Sequence, residues 1–221
     1  MLCTKLLNGL YVYQKPGMGQ FGSHTYVIVG TKQTLLIDPG FEENLHELVV
    51  EKMVHDGIDP HDVTLVANTH LHTDHSQADE AFAKLSGARI VMHATQMAFL
   101  DSDASADEVF SVPGHIDSSY GDEIDLGGIR VRVIETPGHA PGHVCFYWPE
   151  QRTLISGDMV FENNIGRFDL PGGDFDSEQV AVRKLAAINA AVLLPSHGKL
   201  FLEEKDVKNN FEAIVKGFDG L

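Results

Sequence analysis

Four side chains able to bind a metal fall within six residues of this 221-residue chain: His70, His72, Asp74 and His75, in Thr69-His70-Leu71-His72-Thr73-Asp74-His75. The stretch follows the apolar run Thr64-Leu65-Val66-Ala67-Asn68 and precedes a helical pattern, so it reads as a strand-to-helix turn. Extended residues at period two face the same way, which puts His70 and His72 on one side. Asp74 and His75 then open the next element, so two residues can grip one ion and two another. Neutral imidazole and carboxylate are ligands for zinc, iron or manganese.

The same punctuation recurs along the chain. Apolar runs at 10–14, 25–29, 34–37, 64–67, 89–92, 129–134, 144–148, 153–156 and 192–194 are expected strands. His139 lies in Thr136-Pro137-Gly138-His139-Ala140-Pro141-Gly142-His143, just past one run; Asp158 closes Ser156-Gly157-Asp158; His197 follows another in Pro195-Ser196-His197-Gly198. Residues past the ends of neighbouring strands converge at one edge of a sheet, where sites are commonly built. Helices are expected around Leu45–Met53, ending at Asp56-Gly57, over 79–85, over 176–189 with Asp176 as N-cap, and over 203–218. Strands and helices alternate twice, before and after about residue 115. That order predicts an α/β fold, a pair of mixed sheets covered by helices, in one domain over 1–221. The glycine-rich segments 16–22 and 163–174 are expected to be loops, the first a candidate gate.

His70-x-His72-x-Asp74-His75 followed by His139, Asp158 and His197 resembles the metallo-β-lactamase superfamily. The resemblance covers nearly the whole chain and implies an αββα sandwich. It assigns His70, His72 and His139 to one metal and Asp74, His75 and His197 to another, with Asp158 bridging. The implied cofactors are two Zn2+, with iron or manganese as substitutes. His143 would hydrogen-bond in the site wall, outside the ligand set. Asp74 would also be catalytic, orienting a hydroxide held between the ions or receiving its proton. Ser23-His24-Thr25-Tyr26 is similar to a stretch near the metals in some relatives.

The run Gly166-Arg167-Phe168-Asp169-Leu170-Pro171-Gly172-Gly173-Asp174 is similar to the short, glyoxalase II-like branch, which hydrolyses thioesters such as S-lactoylglutathione. Phe161 and Arg167 are the expected substrate contacts; Arg167 with Asp169 or Asp174 could instead pin the loop. Asp158 stands where the commonest β-lactamases carry cysteine, which argues against β-lactam hydrolysis. Phe161 stands where acyl-homoserine-lactone lactonases place tyrosine, which weakens that alternative. Persulfide dioxygenases, another alternative, would hold one iron on His70, His139 and Asp158, but carry cysteine at the position of His143. A metal-binding or ligand-sensing protein without catalysis is the remaining reading, and the intact ligand set argues against it.

A formal net charge of −16 repels phosphate backbones and disfavours polyanionic partners. The expected partners are a small ester or thioester and at most a second copy of the chain in a homodimer; neither nucleic acid nor a membrane is expected. Two cysteines, Cys3 and Cys145, build no disulfide framework, and the first residues lack a signal-peptide pattern, so a cytoplasmic setting is expected. His24, His46, His55, His61, His93 and His115 match no ligand motif.

Overall fold

The computed structural model describes residues 5–14, 22–100 and 109–220. The candidate gate at 16–22, Gly22 excepted, and Cys3 lie outside them. Fourteen strands are present among the described residues: β1 (Lys5–Leu7), β2 (Leu10–Tyr13), β3 (Thr25–Val29), β4 (Thr34–Ile37), β5 (Leu65–Ala67), β6 (Arg89–His93), β7 (Ser118–Tyr120), β8 (Glu123–Asp125), β9 (Arg130–Glu135), β10 (Val144–Trp148), β11 (Thr153–Gly157), β12 (Val160–Phe161), β13 (Asn164–Ile165) and β14 (Val192–Pro195). The helices are α1 (Glu42–Leu45), α2 (Glu51–His55), α3 (Thr73–Ser76), α4 (Asp79–Ser86), α5 (Ala94–Leu100), α6 (Phe175–Ala186) and α7 (Glu204–Phe218). A π-turn, His46–Val50, joins α1 to α2 in one helical run.

Strands β1 to β7 form a seven-stranded mixed sheet in sequence order, antiparallel up to β4 and parallel from β4 to β7. The second sheet runs β14-β11-β10-β9-β8, antiparallel except for β11 beside β14. Strands β4 and β5 are buried at every residue, because an interior parallel strand is covered on both faces. Strand β9 instead alternates, turning Val131 and Val133 inward and Arg130 and Arg132 outward.

Three apolar cores define the layers. Leu45, Val49 and Met53 of the first helical run and Phe82 of α4 pack with Tyr13, Val27 and Leu36 on the outer face of the large sheet. Val12, Ile28, Leu35 and Ile37 meet Val131, Phe146, Trp148 and Ile155 between the sheets. Val182 and Leu185 of α6 and Val207, Phe211 and Ile214 of α7 cover the far face of the small sheet through Cys145, Leu154 and Leu193. Positions 207, 211 and 214 stand on one helical stripe, as the sequence pattern predicts. The result is the expected αββα sandwich. No helix among the described residues is long and apolar enough to cross a membrane.

Three expectations need correction. The N-cap of α6 is Asp174, whose Oδ1 accepts the Ser177 N–H at 2.7 Å, so the helix begins ahead of Asp176 and ends at Ala186. The segment 163–174 is not all loop, since Asn164–Ile165 closes a hairpin with Val160–Phe161. Helix α5 and strands β1, β7 and β8 have no counterpart in the sequence reading.

Candidate metal centre

Strand β5 runs directly into Asn68–His72 and then α3, so the segment places two histidines on extended backbone and Asp74 and His75 in the first helical turn. His139 follows β9, Asp158 follows β11 and His197 follows β14. All seven side chains meet at one edge of the sandwich. Two groups form: His70, His72 and His139, and Asp74, His75 and His197. A third, His70, His75 and Asp158, overlaps both.

In the first group His70 Nε2 lies 2.9 Å from His72 Nδ1 and 3.2 Å from His139 Nε2, and the latter lies 3.0 Å from His72 Nδ1. The hydrogen-bond network assigns the tautomers. His139 Nδ1–H donates to Arg167 O at 2.7 Å, leaving Nε2 a bare lone pair. His70 Nδ1–H donates to Thr69 Oγ1 at 3.1 Å, because that hydroxyl gives its own hydrogen to Asp38 Oδ2 at 2.8 Å. Burial, reinforced by neighbouring imidazoles at His70 and His72, keeps these rings neutral: His72 is pushed down to about 3, His70 is lowered well below its usual range, and His139 is lowered by burial against the pull of Asp158 and the Arg167 carbonyl. The lone pairs of His70 Nε2 and His139 Nε2 therefore face each other at 3.2 Å, an opposition that a cation among the three rings would relieve. Nitrogens on a tetrahedral zinc at about 2.0–2.1 Å stand roughly 3.3 Å apart, close to the spacing here.

The second group is more open and differently charged. His197 Nε2 lies 3.2 Å from Asp74 Oδ2, and His75 Nε2 lies 3.6 Å from it. Asp158 turns Oδ1 toward His75 and His197, 3.5 Å from each Nε2, and Oδ2 toward His139 Nε2 at 3.7 Å. One carboxylate thus faces both groups with separate oxygens. Burial would depress the two imidazoles, but the surrounding carboxylates win: His75 is held well above its usual range and His197 rises to about 9. Burial likewise would raise Asp74, yet His75 and His197 hold it down at about 2. The buried His75 Nε2 and Asp158 Oδ1 make no geometric hydrogen bond among the described residues. A second cation fits there, displacing imidazolium protons. Asp74 and His197 retain 30% and 27% side-chain exposure, whereas His75 has none, so this is the accessible side.

Several surrounding residues escaped the sequence reading. Asp38, fully buried past the end of β4, takes His75 Nδ1–H on Oδ2 at 2.9 Å, the Thr69 N–H on Oδ1 at 2.8 Å and the Ser196 hydroxyl at 3.2 Å. Its signal was present, since Ile37-Asp38-Pro39-Gly40 is one more acidic residue just past an apolar run. Phe110 stacks on His72 with ring centroids 5.1 Å apart, held by the Val109 and Ser111 backbone bonds to Thr73 and Leu71. His143 lies beside the ligand candidates: Nδ1–H donates to Thr136 Oγ1 at 2.8 Å, and Nε2 accepts the Asp158 N–H at 3.3 Å. His24 packs beside the His197 loop, with Nε2 3.1 Å from Gly198 O. Arg167 pairs its guanidinium with Asp169 at 2.9 and 3.0 Å, pinning the loop, while its carbonyl orients His139. Asp174 takes no part in that pairing, since it caps α6. Phe161 stands beside His197, ring centroids 6.0 Å apart.

The model of the metallo-beta-lactamase superfamily matches residues 18–197. The chain belongs to this superfamily. A probable metallo-hydrolase of Methanocaldococcus jannaschii, MJ0888, is 28% identical over 81% of this chain and 89% of its own length. Hydroxyacylglutathione hydrolase GloC of Haemophilus influenzae is 28% identical over 81% of this chain and 86% of its own. The crystal structure of the metallo-beta-lactamase family protein TTHA1429 from Thermus thermophilus superposes with a TM-score of 0.80 at 22% identity, covering 98% of this chain and 81% of that one. These place the chain among metallo-hydrolases of this fold, with a His/Asp cluster suited to a dinuclear metal site.

Proposed function

We propose that the protein hydrolyses a small thioester or related ester with two divalent metal ions, zinc by preference. His70, His72 and His139 would hold one ion, Asp74, His75 and His197 the other, and Asp158 would join them. The observation that carries this reading is the split carboxylate of Asp158, with one oxygen toward each group. When bound, such ions lower the pKa of water toward neutrality and polarise a carbonyl.

The chain's own residues supply the rest. Asp74, ionised and partly exposed, can accept a proton from attacking water at Oδ2. Asp38 fixes the His75 ring, and the Arg167 carbonyl fixes His139, so ligand geometry is set before substrate arrives. Substrate enters where Asp74 and His197 are exposed, beside Phe161. Similarity to hydroxyacylglutathione hydrolases supports the thioester class. The expected setting is the cytoplasm, with a small molecule as partner.

The test is a metal count on the purified chain, paired with a screen of thioesters, lactones, β-lactams and persulfides. About two zinc per chain with thioester turnover supports the reading. One iron with oxygen consumption on a persulfide would replace it.

A further inference from the structure

The hairpin of β12 and β13 begins two residues after Asp158 and carries Phe161 to the accessible side of the metal centre. Two-residue strands do not hold a hairpin in place by themselves. This one is anchored from α7. Asn210, 3% exposed, accepts the Asn163 N–H on Oδ1 at 2.7 Å and donates from Nδ2 to Phe161 O at 2.8 Å. Both ends of the turn are thereby satisfied by one side chain, across 47 and 49 residues of sequence. Asn163 adopts φ +54°, a left-handed conformation that the bond from its N–H helps to hold. The Lys199–Glu162 pair at 2.9 Å adds a second tie, but both partners are half exposed, and such pairs contribute little. Asn210 is thus the principal side-chain anchor of the hairpin.

The rim it sets has a definite chemistry. Phe161 is partly exposed and meets the His197 ring at 63°. The basic side chains of the adjoining segments, Arg167 and Lys199, are engaged by Asp169 and Glu162. With those cations paired, an aromatic face suits an apolar group on the substrate rather than a carboxylate.

We infer that Asn210 is a positioning residue for substrate selection, fixing Phe161 as an apolar wall that favours thioesters with an aliphatic acyl chain. This rests on the ester-hydrolase reading above. It adds the acyl class and a residue far from the metals in sequence.

The experiment measures kcat and KM for acetyl, butanoyl and hexanoyl thioesters of N-acetylcysteamine, with the metal-loaded protein and the variants Asn210→Asp, Asn210→Leu and Phe161→Ala. Burying methylenes against such a wall discriminates by about tenfold or more between the shortest and longest chains. The wild type is expected to prefer hexanoyl by that margin. Asn210→Leu and Phe161→Ala should bring the ratio close to one, through KM rather than kcat, with the metal count unchanged. Asn210→Asp, which keeps the acceptor for Asn163, should retain part of it. A hexanoyl-to-acetyl ratio unchanged in Asn210→Leu and Phe161→Ala would overturn the inference while leaving ester hydrolysis standing. Should Asn210→Leu fail to fold, Phe161→Ala and Asn210→Asp decide the matter by the same ratio. If the wild type bound two ions and cleaved none of the series, the ester-hydrolase reading would fall, and this inference with it.

Discussion

Asp38 holds a backbone conformation, φ +54°, that costs a residue with a side chain roughly 1–2 kcal/mol. That cost is offset by the donors its carboxylate gathers from Thr69, His75 and Ser196, all in a site closed to water. Asp38→Asn preserves the shape but turns one oxygen into a donor. Either amide orientation then sets donor against donor, facing the Thr69 N–H in one and the His75 Nδ1–H in the other, so the hold on the His75 ring weakens. Affinity for the second ion should fall about 10- to 100-fold. Competition with a chromogenic chelator measures this, and an unchanged affinity would show that Asp38 is not what orients His75. Asp74 differs, because it is exposed enough to meet substrate water. Asp74→Asn should lower kcat by about 10²- to 10⁴-fold with KM within a few fold, as expected for a group acting mainly in the transition state. A rise in KM at constant kcat would assign Asp74 to substrate binding instead.

At the scale of elements, α6 raises a question of its own. Glu178 in its first turn is fully buried, and neither carboxyl oxygen meets hydrogen-bond geometry among the described residues. Burial, with a contribution from Asp158 and against the approach of the Gly166 N–H, pushes it up to about 8. Unfolded, the same group ionises near 4.5. Between those values the folded chain binds the extra proton, so this group's contribution to stability falls as pH rises from about 4.5 to 8. Glu178→Leu should therefore raise Tm, and by more at pH 8 than at pH 5, scanned in one buffer series. A Tm difference independent of pH would refute the assignment. Gly138 explains why the helix packs so close, since a Cβ there would strike the Glu178 backbone and its Cβ. How far such elements can be read in advance depends on their length. The runs that became β3, β4, β10 and β14 are apolar but for an opening threonine in the first two, and α7 shows its stripe over four turns. Strands β12 and β13 are too short to have a period, and α5 has neither acidic residues in its first turn nor basic ones in its last. The α6 cap is Asp174, two residues ahead of the Asp176 expected from the sequence, and the bond from the Ser177 N–H is what identifies it.

Across the whole molecule, the ligand candidates were legible because each follows the end of an apolar run, and sheets bring such ends together. The shell behind them was less so, since Phe110 reaches His72 by a lone bridge between extended segments that leaves no local pattern. The same topology makes the centre a joint between layers. His70, His72, Asp74 and His75 leave the large sheet through β5, while His139, Asp158 and His197 leave the small one. Every ion would therefore be held by both sheets at once. Direct ties at this edge also exist, such as Tyr26 OH to Pro195 O at 2.6 Å and Val144 N to Thr69 O at 2.8 Å. Yet the opposed lone pairs of the first group work against them when no cation is present. An ion bound only by the folded chain stabilises it by about 4 kcal/mol at a thousandfold excess over Kd. For a chain of this size each kcal/mol moves Tm by roughly 2–4 °C. Exhaustive chelation should then lower Tm by about 10 °C or more, and returning zinc should restore it in two steps, the first-group ion giving the larger because it relieves the lone-pair repulsion. His72→Ala should abolish that larger step together with activity. A thermal transition indifferent to chelation would mean that apolar burial between the sheets, not the metal joint, sets how firmly the two halves of the sandwich hold together.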